Sequence, residues 1–415
     1  MSNATAPSAA PTATRSPRGR LSHPIAFGAI ASILVWFAAA SSAPSPLYVV
    51  YQQEWSFSPT TLTVVFAVYV VGLLGSLLVL GALSDHVGRR PVLLAAIGLE
   101  SIALVIFIAA GDVTVLAIAR VAQGIATGAA FTTLGAALVD LNPAHAPTRA
   151  GLINGVAPLG GLAFGALGCG ALVQFGPAPT HLVYAVLLTG MVVAAAVVSR
   201  MPETSARRAG ARASLRPRVG VPPRLRTDFF AIVPILVASW ALGGLYLSLG
   251  PSVAASLFGL DSHLIGGLVV TLLCGTGAAT AFFLRAWPIE RVIVTAAGLL
   301  AGGMVVTLIG VEADSAVLAA AGTVVAGIGF GASALGCFGT LARLAAPDER
   351  GELFAVALVI AYVAFSLPAV LAGFASTSFG LRPTTVVYGL AVIALGVAAL
   401  GAQRVLAARR RAVPA

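Results

Sequence analysis

The sequence predicts an all-α polytopic membrane protein, with twelve transmembrane helices in two six-helix halves. Three observations lead there. Hydrophobic residues make up 59% of the 415 and charged residues 9%, a composition that no soluble core accounts for. Twelve apolar runs are each long enough for a hydrocarbon layer of about 30 Å, which takes about 20 helical residues to cross. The basic residues, all 24 of them arginine, fall almost entirely in alternate connections, the pattern of cytoplasmic loops.

The first run covers 24–51. Arg15, Arg18 and Arg20, then an apolar stretch and "AAASSA", outline a secretory signal, whose apolar region is usually about 7–15 residues. Apolar character resumes after Pro44 and Pro46 in "LYVVY". The run therefore reads as the first span, behind a disordered cytoplasmic tail at 1–20. The second span, 59–84, leads into "GALSDHVGRR" at 81–90. Gly88 supplies backbone freedom for a tight turn, and Gly81 permits close helix contact. Asp85 can accept hydrogen bonds from Arg89 or Arg90, or approach the positive end of a neighbouring helix. His86 reads as a polar surface residue. The third span, 91–111, carries Glu100, roughly 14 Å from its cytoplasmic end by helical rise. The fourth, 113–139, carries Arg120, roughly 11 Å from its outer end. An arginine at that depth faces a partner or a wet cavity. Gln123 is one turn on, and Gly124 and Gly128 form a small-xxx-small pair for close packing. By depth Glu100 can pair with Arg120. Its role is either structural hydrogen bonding or proton carriage.

The fifth span, 150–172, contains "GLAFGALGCG" with Gly161, Gly165 and Gly170, and the sixth covers 181–199. The first six spans make an N-terminal bundle at 21–199. Residues 200–228 are basic and rich in Pro and Gly, which suits a flexible cytoplasmic linker. A C-terminal bundle at 229–408 and a tail at 409–415 follow. Its spans are 229–257, 263–285, 289–310, 315–342, 351–375 and 384–408. Arg149 in "TRAGL" and Arg350 in "ERGEL" occupy corresponding places before the fifth and eleventh spans, a weak internal repeat of the kind transporters carry. With the N-terminus inside, 22 arginines lie on the cytoplasmic side. The outer loops hold Glu54, Asp112, Asp261, Glu312 and Asp314. Both termini are thus expected in the cytoplasm of a multi-pass inner (plasma) membrane protein. The net charge of +10 then reflects loops beside anionic lipid, and no nucleic-acid partner is expected.

The loop at 81–90 resembles the signature loop of the major facilitator superfamily, at the place where that family carries it, with His86 where the family usually has Arg or Lys. The resemblance implies the major facilitator fold. It also implies that Gly81, Asp85, Gly88, Arg89 and Arg90 form a cytoplasmic latch that holds the outward-open state, and that the His86 departure weakens the latch or makes it pH-sensitive. The fourth span resembles the family's R-x-x-Q-G motif through Arg120, Gln123 and Gly124, which implies that Arg120 takes part in proton coupling; Glu100 is a second candidate by its depth, although the resemblance implies a peripheral third helix. The fifth span resembles the antiporter motif of the drug/proton branch. Ala166 replaces its proline there and Cys169 one of its glycines. "MPET" at 201–204 resembles the usual exit from the sixth helix. By the family's arrangement, ligand contacts fall to Trp36, Ser41, Tyr48, Tyr69, Gln123, Trp240, Tyr246 and Tyr362. Trp55 and Trp287 suit an interface belt.

Cys169, Cys274 and Cys337 lie inside predicted spans without CxxC spacing, so no metal site or disulfide framework is expected. HExxH, GxSxG and Walker-type loops are absent, which argues against an enzyme or a primary pump. Few ionisable groups lie within the spans, so a lipophilic or weakly polar small-molecule substrate fits best. The expectation is export by alternating access coupled to proton entry, in a functional monomer with the proton gradient as energy source and no cofactor. Import of a sugar, amino acid or other metabolite is the alternative on the same fold. A transport-inactive receptor or assembly protein is the alternative of another class. Pro368, five residues before Gly373 in the eleventh span, either kinks a moving helix or is simply tolerated.

Overall fold

A computed structural model describes residues 21–217, 219–346 and 349–412. The tail expected at 1–20 and residues 413–415 lie outside them. Helices α1 (His23–Ser42) and α2 (Pro44–Trp55) form the first span and α3 (Pro59–Leu80) the second. The short α4 (Leu83–Val87) is followed by α5 (Arg89–Ile108), α6 (Val113–Asp140), α7 (Arg149–Phe175) and α8 (Pro179–Ser199). The second half comprises α9 (Ala211–Ser214) in the connection, then α10 (Arg226–Ser248), α11 (Gly250–Phe258), α12 (His263–Phe283), α13 (Ile289–Glu312), α14 (Ala316–Leu344), α15 (Arg350–Phe379) and α16 (Leu381–Ala412). Twelve spans are long and apolar enough to cross a membrane, and the described residues contain no strand. The face bearing Arg89, Arg90 and the connection is called basic below, and the opposite face distal.

Local chemistry sets the helix ends. Ser58 caps α3 by accepting from the Thr61 N–H at 3.2 Å. Asp112 caps α6 by accepting from Thr114 N at 2.7 Å and Val115 N at 3.0 Å, which satisfies two donors that a helix start leaves open. The Val115 and Thr114 N–H groups hold the Asp112 carboxyl below its ordinary pKa. The prolines at 158, 234 and 368 do not end their helices, as membrane helices allow.

Three elements differ from the sequence expectation. The second span ends at Leu80, not 84, because the loop folds as α4, and Gly88 at φ 118° turns the chain into α5. The seventh span begins at Arg226, inside the expected linker, after a 3-10 turn at Pro223–Leu225. The first and seventh spans, expected to be continuous, both break. Each break is a single residue that keeps right-handed helical angles, Ala43 directly before Pro44 and Leu249 two residues before Pro251, where the missing proline N–H and the ring interrupt the helical ladder. The repeats around them, "SSAPS" at 41–45 and "SLGPS" at 248–252, carry the break into both halves.

The core is asymmetric along the membrane normal. One hydrophobic cluster runs from the N-terminal half into the distal part of the C-terminal half, through Leu245, Val270 and Ala372. The basic side of the C-terminal half has a separate core around Phe229, Val292 and Leu353. Hydrogen bonds between the halves follow the same division. On the distal side Thr60 meets Thr377 at 2.9 Å, and Ser45 Oγ donates to Leu247 O at 2.7 Å. Also there, Gln174 Oε1 accepts from Ser262 Oγ at 3.2 Å and from His263 N at 3.1 Å. The halves are thus fastened together at the distal face. On the basic face the connection leaves the first half and reaches the second.

Candidate functional site

The main polar cluster is built on the break in the first span. Pro44 has no N–H to offer Ala40 O, the carbonyl four residues back, so that acceptor needs a partner from outside its helix. Gln123 Nε2 donates to it at 3.0 Å, and Arg120 Nη1 donates to Ser41 O at 3.2 Å. Arg120 and Gln123 are three residues apart on α6 and share a face, where Arg120 Nη1 also donates to Gln123 Oε1 at 2.6 Å. Gln123 Nε2 donates in addition to Glu100 Oε1 at 3.0 Å. Arg120 and Glu100 therefore communicate through Gln123 rather than pairing directly. All three are buried, Arg120 at 1% exposure and Glu100 and Gln123 at 0%.

Aromatic faces complete the setting of the guanidinium. Arg120 Cζ lies 4.2 Å from the Tyr69 ring centroid and 5.9 Å from that of Tyr48, both within cation–π range. Close approach of α6 to α3 makes this possible, since a Cβ on Gly124 would stand 2.1 Å from Tyr69 O. Four buried polar atoms in the described residues around the cluster have no hydrogen-bond partner: Tyr48 Oη, Glu100 Oε2, Arg120 Nε and Thr127 Oγ1. Buried polar atoms are normally paired, and most of the unpaired ones among the described residues gather here.

The predicted cavity residues divide. Ser41, Tyr48, Tyr69 and Gln123 gather around Arg120. Trp240 and Tyr362 meet edge to face at 4.8 Å and pack with Phe365, which contacts Phe66 of the other half at 5.1 Å. Tyr246 lies elsewhere in the C-terminal half, its hydroxyl 2.7 Å from Thr323 Oγ1. Trp36 does not belong with the cavity residues. Its indole N–H needs an acceptor and takes Leu187 O of α8 at 3.1 Å, with the ring against Gly190, so it packs α1 against the outer helix. The fifth-span glycines also separate. Gly161 and Gly165 admit α1, while a Cβ on Gly170 would stand 2.6 Å from His263 O of the other half.

At the basic face, Asp85 pairs with Arg89 at 2.5 Å, and Arg89 Nε reaches Asp140 at 3.1 Å. Arg90 does not reach Asp85. Its side chain donates to Ser199 O. Glu203 of "MPET" accepts from the backbone N–H of Arg89 at 2.7 Å and of Arg90 at 3.2 Å, which places a carboxylate at the positive end of α5. His86 is tied down as well: its Nδ1 lies 3.0 Å from Arg208 O and 3.1 Å from Ala209 O. Two carbonyls around one nitrogen make that nitrogen the donor. Ser205 Oγ and Arg208 N both donate to Asp85 O. The first part of the connection thus docks on the loop.

Sequence reading missed Asp140, Glu203 and Phe365 as partners, and the paired breaks as the source of free carbonyls. The APS and GPS repeats 207 residues apart, Pro44 to Pro251, were the signal available for the breaks.

Comparison with known proteins agrees with this architecture. The Major Facilitator Superfamily profile matches residues 25–368. Two curated relatives are both multidrug resistance proteins MdtL. The one from Shewanella oneidensis is 35% identical over 102 residues, which cover 24% of this chain and 25% of that protein. The one from Citrobacter koseri is 26% identical over 260 residues, covering 60% and 65%. Less than two thirds of either relative is therefore spanned. Among solved structures, a bacterial homologue of the human lysosomal transporter Spinster, inward-facing and unoccupied, superposes with a TM-score of 0.71 at 13% identity, covering 92% of this chain and 97% of that one. The inward-open xylose transporter XylE from E. coli also gives 0.71 at 13% identity, covering 91% and 96%. The nucleoside transporter NupG gives 0.68 at 11% identity, covering 92% and 100%. At such identities the structures share the fold alone. The family profile together with the twelve-span fold establishes that this chain belongs to the Major Facilitator Superfamily, a multi-pass membrane transporter rather than an enzyme.

Proposed function

We propose that the protein exports a small, lipophilic or weakly polar solute by alternating access, coupled to proton entry, in the plasma membrane with the basic face in the cytoplasm. The observation that carries this reading is the buried chain Glu100–Gln123–Arg120, which ends on carbonyls at the break of the first span. Glu100 Oε1 is held by Gln123 while Oε2 is uncontacted. A proton on Oε2 leaves the bond to Gln123 intact. When it departs, the new charge draws Gln123 and Arg120, and the carbonyls they hold on α1 feel the change. The break between α1 and α2 is where such a pull bends a helix. Distal fastening with separate cores at the basic side describes the inward-facing state. In that state the signature loop bonds to its own half and the connection among the described residues. The multidrug relatives and the scarcity of charge in the spans favour a lipophilic substrate.

The test is accumulation of fluorescent lipophilic cations in drug-sensitive cells with and without the protein, using Arg120→Ala and a protonophore as controls. Lower accumulation that both controls abolish is the expected result. Unchanged accumulation with expression verified at the membrane would overturn the export of lipophilic cations and direct attention to metabolite import.

A further inference from the structure

A cavity of about 290 Å³ lies wholly within the C-terminal half, away from Arg120. Helices α12 and α14 meet backbone to backbone deeper down, at Gly277 and Gly331. Toward the distal face they stand on either side of the cavity, with residues of α10, α11, α13 and α16 completing the wall. At its rim Leu268 is 41% exposed and Val317 82%, on helices that cross the bilayer. Leu272, the deepest contributor from α12, is nine residues from the helix start. That is roughly 14 Å by helical rise, about half of a hydrocarbon layer of roughly 30 Å. Lined from Leu260 and Val317 at the distal helix ends down to Leu272, the cavity therefore spans about the depth of one leaflet.

No charged side chain lines it, and its polar groups are the hydroxyls of Tyr246, Thr307, Thr323 and Thr385. Their protons can be accounted for. Thr307 donates to Gly303 O at 3.0 Å, Thr323 to Ala319 O at 2.9 Å and Thr385 to Leu381 O at 2.8 Å. With the Thr323 proton committed, the 2.7 Å contact between Tyr246 and Thr323 has Tyr246 as donor. The Tyr246 oxygen then keeps acceptor capacity. A ligand that donates one hydrogen bond satisfies it, whereas an anion would meet oxygen lone pairs and no cation.

We infer that this cavity binds a neutral bilayer amphiphile, an aliphatic body bearing one hydroxyl that donates to Tyr246. The site is separate from the Arg120 cluster and independent of the direction of transport. The test is photolabelling of the purified full-length protein in detergent by dodecanol carrying a terminal diazirine, with peptide mapping by mass spectrometry. Labelling should fall on α11, α12 and α14. Unlabelled dodecanol should compete, with dodecane and dodecanoate both weaker. Tyr246→Phe should weaken dodecanol about 2- to 10-fold, the range for one neutral hydrogen bond, and leave dodecane unchanged. Ala320→Phe should fill the cavity and abolish labelling. Should that variant fail to fold, Tyr246→Phe decides alone. Labelling spread evenly over lipid-facing residues of all spans, or dodecanol competing equally against wild type and Tyr246→Phe, would overturn the proposal. Binding is the readout, so failure of drug export leaves it standing.

Discussion

Gln123 is the residue on which the polar cluster turns, because its amide is bonded on both sides. Replacing it by leucine strands Glu100 Oε1 and Ala40 O, both buried, and leaves Arg120 Nη1 with Ser41 O as its remaining acceptor. Each stranded group costs about 1–3 kcal/mol. Gln123→Leu should therefore lower the thermal unfolding temperature in detergent and also stop coupled flux, which distinguishes it from a variant that affects transport alone. Glu100→Gln makes the opposite separation. It keeps an oxygen facing Gln123 but cannot ionise, so the protein should remain folded while flux loses its dependence on pH; an unaltered pH profile would remove Glu100 from the proton path. Depth and charge made Arg120, Gln123 and Glu100 legible in sequence. Their carbonyl partners were not, because which proline-freed carbonyl meets a donor depends on how the neighbouring helix packs against it. Trp36, expected among the ligand contacts, is turned to Leu187 O of α8, because the direction of a side chain depends on which neighbour offers an acceptor.

The twelve spans were readable because each must supply its own run of apolar residues, and most ends fell within a few residues of those expected. The breaks in spans one and seven escaped since proline is compatible with a continuous membrane helix, as α7, α10 and α15 demonstrate at Pro158, Pro234 and Pro368. What distinguishes Pro44 and Pro251 is the repeated serine that follows, and the proline-freed carbonyl at Leu247 accepts from one of these serines, Ser45, across the halves. Helix contact also holds the distal face closed at Gly373, where an added Cβ would stand 1.9 Å from Thr63 Oγ1 of α3. Gly373→Val should push α3 and α15 apart there. Labelling of a Thr377→Cys reporter by an impermeant maleimide from the distal side should then rise severalfold over the same reporter with Gly373 intact.

For the whole molecule, the sequence showed two halves and a basic connection between them but implied that the connection was slack. Its first part is instead held to α4 and α5 by Glu203, Ser205 and Arg208, contacts more than a hundred residues apart along the chain and so invisible to a local reading. Glu203→Gln weakens the hold on α5 by removing the charge. In vesicles with the basic face outward, cleavage after Arg207 or Arg208 by trypsin should become several times faster, without loss of the twelve-span core. The same scale gives meaning to the distal fastening. It is made by threonine and serine hydroxyls, a glutamine side chain, backbone carbonyls and the His263 N–H. The ion pair on that face, Arg382 with Asp314, stays within one half. Separating these contacts carries no formal charge through the electric field of the membrane, where each elementary charge is worth about 2.3 kcal/mol per 100 mV. Parting of the distal contacts should be indifferent to voltage, and the membrane potential acts on the cycle through charges that move elsewhere: a proton, a charged solute in transit or the Arg120 guanidinium.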